Sequence, residues 1–133
     1  MSFDLDREID KLIASANLHR MRGQLLEAEE DCRKALSMSP NDVVVRELLG
    51  DILYEAGKLD SARNEYKIAM ELSPGKASVE TKYAKVILEI AEREREKAIA
   101  RDMIENPQKY LRQKRNPSLA AISAIIPGLG QFY

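Results

Sequence analysis

The chain has 133 residues, enough for one compact domain with a modest core and too few for two full ones. Leu, Ile, Ala, Glu, Lys and Arg dominate while Gly and Pro are sparse and Trp is absent, so the composition favours helices. A formal net charge of −1 excludes the strongly basic balance of a general nucleic-acid binder, and the single Cys32 excludes an intrachain disulfide and a cysteine-rich metal centre.

That charge is unevenly spread. Residues 1–105 hold 22 acidic and 17 basic side chains, whereas the stretch from Asn106 onward holds four basic ones and no acid. Met1 to Asp10 carries acidic residues where a secretion signal needs a basic and then an apolar run, so export by that route is not expected. The lone cysteine fits a reducing compartment.

In chain order, a first helical pair is expected over residues 9–42 and a second over 43–76, because the sequence matches itself at a shift of 34. That shift places Ala16 opposite Gly50, Gly23 opposite Gly57, Leu25 opposite Leu59, Ala28 opposite Ala62, Ala35 opposite Ala69, Ser39 opposite Ser73 and Pro40 opposite Pro74. Each match has a physical reason. Helices that cross closely need Gly or Ala at the crossing; Gly23 and Gly57 suit the left-handed backbone that ends a first helix. Pro40 and Pro74 then close each second helix. Asn41 is the expected cap of the next helix, and Ser73 or Ser78 that of the one after.

A period of about 34 residues with these small residues resembles the tetratricopeptide repeat family. "LLGDILYEAGKLDSARNEYKIAMELSP" (Leu48 to Pro74) is the cleaner copy and "ASANLHRMRGQLLEAEEDCRKALSMSP" (Ala14 to Pro40) the looser one. The departures are Cys32 where the second copy has the bulky Tyr66, and Arg46 where the family often has Trp. The resemblance implies an all-α fold of helical hairpin repeats, an α-solenoid, that works as a protein-binding scaffold and not as an enzyme.

A third copy begins near Ala77, with Tyr83, Ala84 and Ile87 matching Leu49, Gly50 and Leu53. Ala91 then stands where a helix-ending glycine would recur, so residues 77–105 are expected to form one long C-terminal capping helix. Glu89 with Arg93, and Glu94 with Lys97, are spaced to pair along it. The domain is accordingly expected over 1–105, followed by a basic linker over 106–116 and an apolar tail over 117–133.

In the family's register the first helices of the pairs line a concave face that takes an extended peptide or a helix. The resemblance places Asp10, Ile13, Asn17 and Arg20, then Glu47, Asp51 and Tyr54, then Lys82 and Lys85 on that groove. Each also fits an ordinary solvated side chain. The family's carboxylate clamp is matched only by Asn17 and Lys82, since Ile13, Leu48 and Ser78 occupy its other positions. A mixed-charge groove for a different segment is the better expectation.

Beyond Pro107 the basic residues Lys109, Arg112, Lys114 and Arg115 lead into "PSLAAISAIIPGLGQFY", with no charge from Asn116 to Tyr133. As a helix those eighteen residues would span about 27 Å, near the thickness of a bilayer core. Pro127, Gly128 and Gly130 favour instead a short helix over Ser118 to Ile126 followed by a turn. "IIPGLGQFY" resembles the motif that opens a transmembrane hairpin in small prokaryotic membrane proteins; the second half of such a hairpin is missing, which reads as a chain cut at Tyr133 or a shortened relative. The positive-inside rule would then put the repeats in the cytoplasm at the inner face of the membrane, with the basic residues near anionic head groups. Two other uses of the tail stay open: Leu119, Ile122, Ile125 and Ile126 could complete the core as a final helix, or enter the groove of a second copy and make a homo-oligomer.

His19 has no nucleophile or acid at a motif spacing, and the cluster Glu29, Glu30 and Asp31 lacks further ligands and belongs on an outer helix face. "PGLGQ" lacks the Lys and Ser or Thr of a phosphate loop. No catalytic residue, metal or cofactor is expected, and no nucleic-acid partner.

Overall fold

A computed structural model describes residues 2–112, and those residues form six helices: α1 (Ser2–Met21), α2 (Leu25–Met38), α3 (Val43–Glu55), α4 (Leu59–Leu72), α5 (Ala77–Glu105) and α6 (Pro107–Arg112). Side chains are described for 3–111. The contacts divide the chain into two units, one ending at Ala91 and the other starting at Glu92, and α5 contributes to both.

Turn chemistry sets the hairpins. Gly23 and Gly57 have φ of +76° and +81°, a backbone that Cβ-bearing residues resist, and each lies two residues past its helix. At the second turn the Gly57 N–H donates to the Tyr54 carbonyl and the Lys58 N–H to that of Leu53, which satisfies carbonyls left over at the end of α3. Asp42, not Asn41, caps α3, its carboxylate accepting from the Val45 N–H at 3.2 Å. The aspartate is the residue directly outside the helix, where a side-chain oxygen reaches the third N–H. Neither expected serine caps α5, because the helix starts at Ala77 and already includes Ser78; Glu80 reaches back to the Gly75 N–H instead, at 3.0 Å.

Helices α1 and α2 pack as one hairpin, α3 and α4 as the next, and α2 lies against α3. The buried cluster joins Ala16, Ala28, Cys32 and Ala35 of the first hairpin to Leu49, Ile52, Leu53, Ala62 and Tyr66 of the second, with Val86 of α5. Residues 77–91 seal the second hairpin: Val79 and Val86 are fully buried, and Tyr83 and Ile90 pack against the cluster. Arg46, at the family's tryptophan position, substitutes polar ties for an aromatic wedge. Its guanidinium donates to Glu65 on α4 at 2.9 Å and to the Pro40 carbonyl at 3.1 Å.

The two hairpins solve the same crossing with opposite volumes. Cys32 on α2 leaves room for the methyl of Ala16 on α1, and both are buried. On α4 the same register position is Tyr66, and a Cβ at Gly50 would lie 2.5 Å from Tyr66 Cε1 and 2.7 Å from its Cδ1. Nor can that ring retreat freely, because its hydroxyl donates to Asp51 at 2.6 Å. Gly50→Ala is expected to destabilise the chain by about 1–3 kcal/mol by overpacking, despite a gain of up to about 1 kcal/mol in helix propensity. In a Tyr66→Cys background the same change should cost nothing or stabilise slightly. A denaturant-unfolding double-mutant cycle with no coupling between the two positions would show that the ring does not dictate the glycine.

Candidate functional site

Three first helices, α1, α3 and residues 77–91 of α5, bring charged residues to one face through a repeated spacing. Arg20 Nε donates to Glu55 at 2.8 Å, Lys82 Nζ to Glu47 at 2.7 Å, and the Tyr54 hydroxyl to Glu89 at 2.5 Å. All three pairs are separated by 35 residues, one repeat plus one position. The extra residue rotates the second partner about 100° around its helix, and the side chains of neighbouring first helices meet across the face.

Asp51 is the hub. Its Oδ1 accepts from Tyr66, and its Oδ2 accepts from Lys82 Nζ at 3.0 Å and lies 3.9 Å from Arg20. Lys82 is thereby held between Glu47 and Asp51, and Lys76 approaches the other Glu47 oxygen at 2.9 Å. Burial raises the Glu47 carboxyl's affinity for a proton, but hydrogen bonds from Lys82 and Lys76 outweigh it and bring the pKa down to about 2. Tyr66 is pushed up by burial first and then by its bond to the Asp51 carboxylate. Arg20 is raised chiefly by its hydrogen bond to Glu55.

Arg20, Asp51, Tyr54, Lys82 and Lys85 line an open cavity of about 210 Å³ together with Tyr66, Glu55 and Val86. Lys85 Nζ stands over the Tyr54 ring, 5.2 Å from its centroid. Of the residues expected on the groove, these five come together and Glu47 braces them from the side. The remaining three do not join the cavity: Asp10 and Asn17 are exposed on α1, and Ile13 is half-buried against the core. Glu55, Tyr66 and Val86 were not expected to line it. No sequence signal marked Glu55, because its 35-residue separation from Arg20 gains meaning only from the rotation between neighbouring first helices; Tyr66 reads as core, and serves as both core and wall because its ring is buried while its hydroxyl reaches Asp51.

Elsewhere, Asp31 faces inward between α1 and α2, not outward as its helix suggested. It accepts from the Ser15 hydroxyl at 2.6 Å and lies 3.6 Å from His19 Nε2, while His19 Nδ1 lies 2.7 Å from Gln24 Oε1. The hydroxyl points to the carboxylate and not to the imidazole, so the three do not form a nucleophile–base pair. Glu29 pairs with Arg33 and Lys58, and burial pushes the Cys32 thiol up to about 12, far from a reactive thiolate. Among the described residues no group of His, Cys, Asp and Glu is placed to hold a metal ion.

Glu94 and Lys97 pair at 3.5 Å as their spacing implies, whereas Glu89 is taken by Tyr54 instead of Arg93. Lys109 lies 3.1 Å from Asp102, which also accepts from Asn106 and Tyr110. Those bonds, that from Tyr110 foremost, hold the Asp102 carboxyl down at about 2. Arg112 is the last residue of α6, and Lys114, Arg115 and the apolar stretch 117–133, with its hairpin-opening motif, lie outside the described residues. Among the described residues no helix is long and apolar enough to cross a membrane.

Paired antiparallel helices with small residues at their crossings and a face built from successive first helices define a helical-repeat protein. The chain belongs to the tetratricopeptide repeat family, whose sequence profile matches residues 19–86, just over half of its length. Such repeats generally mediate protein–protein interaction and are typically non-catalytic modules. A solved structure of a mutant Thermobaculum terrenum O-GlcNAc transferase is similar, with a TM-score of 0.62 and 23% identity, over 80% of this chain and 21% of that one. At that identity the likeness is one of fold, and the chain spans about a fifth of the enzyme's length. No curated protein matches the chain in sequence.

The Glu47 pKa has a direct consequence for stability. A carboxyl lowered from 4.5 to about 2 stabilises the fold above its unfolded value, and that contribution disappears as pH falls from about 4.5 towards 2. Its upper size is about 3 kcal/mol, reduced by solvent around the half-exposed lysines. Denaturant unfolding of the native chain and of Glu47→Gln should therefore differ most near pH 7 and converge below pH 3; a gap that stays constant down to pH 2 would disprove the assignment.

Proposed function

We propose that the chain is a non-enzymatic scaffold that recruits a protein partner through the face of α1, α3 and the first half of α5, and that it is tethered to a membrane through the sequence beyond Arg115. The observation that carries the first part is the cavity beside Asp51, which is assembled from all three first helices around the hydrogen bonds that Tyr66 and Lys82 donate to that carboxylate. Two full hairpins and one further helix make a short groove, so the ligand is a short extended peptide or a single helix. Residues Asp51, Tyr54, Lys82 and Lys85 act in this reading as its centre, with Asp10, Ile13, Asn17, Arg20 and Glu47 as its margins.

Support for the tether comes from the switch at Arg115 from a basic to an uncharged, largely apolar sequence ending in "IIPGLGQFY". Lys109, Arg112, Lys114 and Arg115 would face anionic head groups on the cytoplasmic side. In this reading the repeats sit at the inner membrane surface and hold a captured partner there.

Both parts can be tested in cells. A photo-crosslinking residue at Asn17, exposed on α1 at the groove's margin, should trap a partner, whereas one at Lys67, exposed on α4, should not; equal trapping at the two sites would refute the groove. The complete gene product should sediment with membranes and a version ending at Arg112 should not, and recovery of both in the supernatant would refute the tether.

A further inference from the structure

Of the charged residues that line the cavity, all but one are paired with opposite charge. Arg20 is neutralised by Glu55, and Lys82 by Glu47 and Asp51. The Tyr66 and Tyr54 hydroxyls are spent on Asp51 and Glu89. Lys85 is different: among the described residues its ammonium enters no ion pair and no side-chain hydrogen bond, and its contact is the face of Tyr54. An ammonium offers three donors and no acceptor. A cation–π contact at an exposed site is weak, so Lys85 keeps its hydrogen-bonding capacity for an incoming acceptor.

We propose that the cavity receives one anionic side chain of a bound peptide, its charge met by Lys85 and its stem lying against the Tyr54 ring and Val86. This rests on the peptide-binding reading of the groove and adds the chemistry that the groove selects. Size limits the occupant: about 210 Å³ is the share of about seven waters, room for one side chain and not for a folded element. Charge limits it again. Residues 1–91 carry 17 acidic and 13 basic side chains, so an acidic run is repelled at long range while one anion can be accommodated locally. Lys82 already spends two of its three donors on Glu47 and Asp51, whose carboxylates offset its charge, so it attracts an added anion less than Lys85 does.

The test is selection by the full chain from a bead-displayed library of random octapeptides that includes phosphoserine, repeated with Lys85→Met and Lys85→Arg. Selected peptides should carry Asp, Glu or phosphoserine at one recurring position, and which residue is enriched distinguishes a carboxylate from a phosphate ligand. For those peptides Lys85→Met should weaken binding by at least about tenfold, while Lys85→Arg, which keeps the charge, stays within about threefold. Because Lys85 is exposed, both variants should melt with the native chain. Peptides selected without a recurring anion, or unchanged affinity in Lys85→Met, would overturn the inference and leave the groove standing. Failure to select any peptide would overturn both.

Discussion

The structure depends on how closely α3 and α4 approach at Gly50. A glycine there lets the Tyr66 ring lie against the α3 backbone, and the ring fills the volume that a side chain would have taken. Its hydroxyl then reaches Asp51, the next residue of α3. One aromatic residue therefore sets the spacing within a hairpin and orients the carboxylate at the centre of the polar face. In the first hairpin the smaller Cys32 tolerates Ala16, and Asn17, at the position equivalent to Asp51, is exposed. The difference in one core volume is accompanied by a difference in the surface above it.

From Asp51 the order spreads to α5. Lys82 bridges Glu47 and Asp51, so the first half of α5 is held to α3 by a charged network as well as by Val79 and Val86. A half-buried network of this kind adds modestly to stability because desolvation opposes the Coulomb gain. Its larger effect is positional: the ion pairs and the Tyr66 bond fix Glu47, Asp51 and Lys82 relative to one another. Lys85, resting on Tyr54, is left outside that mutual neutralisation.

Much of the fold was legible in the sequence because backbone constraints repeat. Gly23 and Gly57 mark the turns since a positive φ excludes most other residues, and Ala28, Ala35, Ala62 and Ala69, all fully buried, mark the crossings. Capping was less legible. Asn41 and Asp42 are adjacent and chemically similar, and a one-residue difference in where the helix begins decides which side chain meets the Val45 N–H. The site was legible in part: the register put Arg20, Asp51, Tyr54, Lys82 and Lys85 on one face, and the structure gathers them around one cavity. It did not separate them from Asp10, Ile13 and Asn17, because position on a face says nothing about depth.

The sequence by itself determined the repeat, the hairpin turns and the family, because each of these rests on local rules that recur at a fixed period. Only the tertiary structure decided which charges pair. Arg20 with Glu55, Glu47 with Lys82 and Tyr54 with Glu89 are joined by a rotation between neighbouring first helices that adds one residue to the repeat period. That rotation comes from the packing of whole helices, so no local rule encodes it. The same packing turned Asp31 inward to Ser15 and left Lys85 without an acidic partner among the described residues.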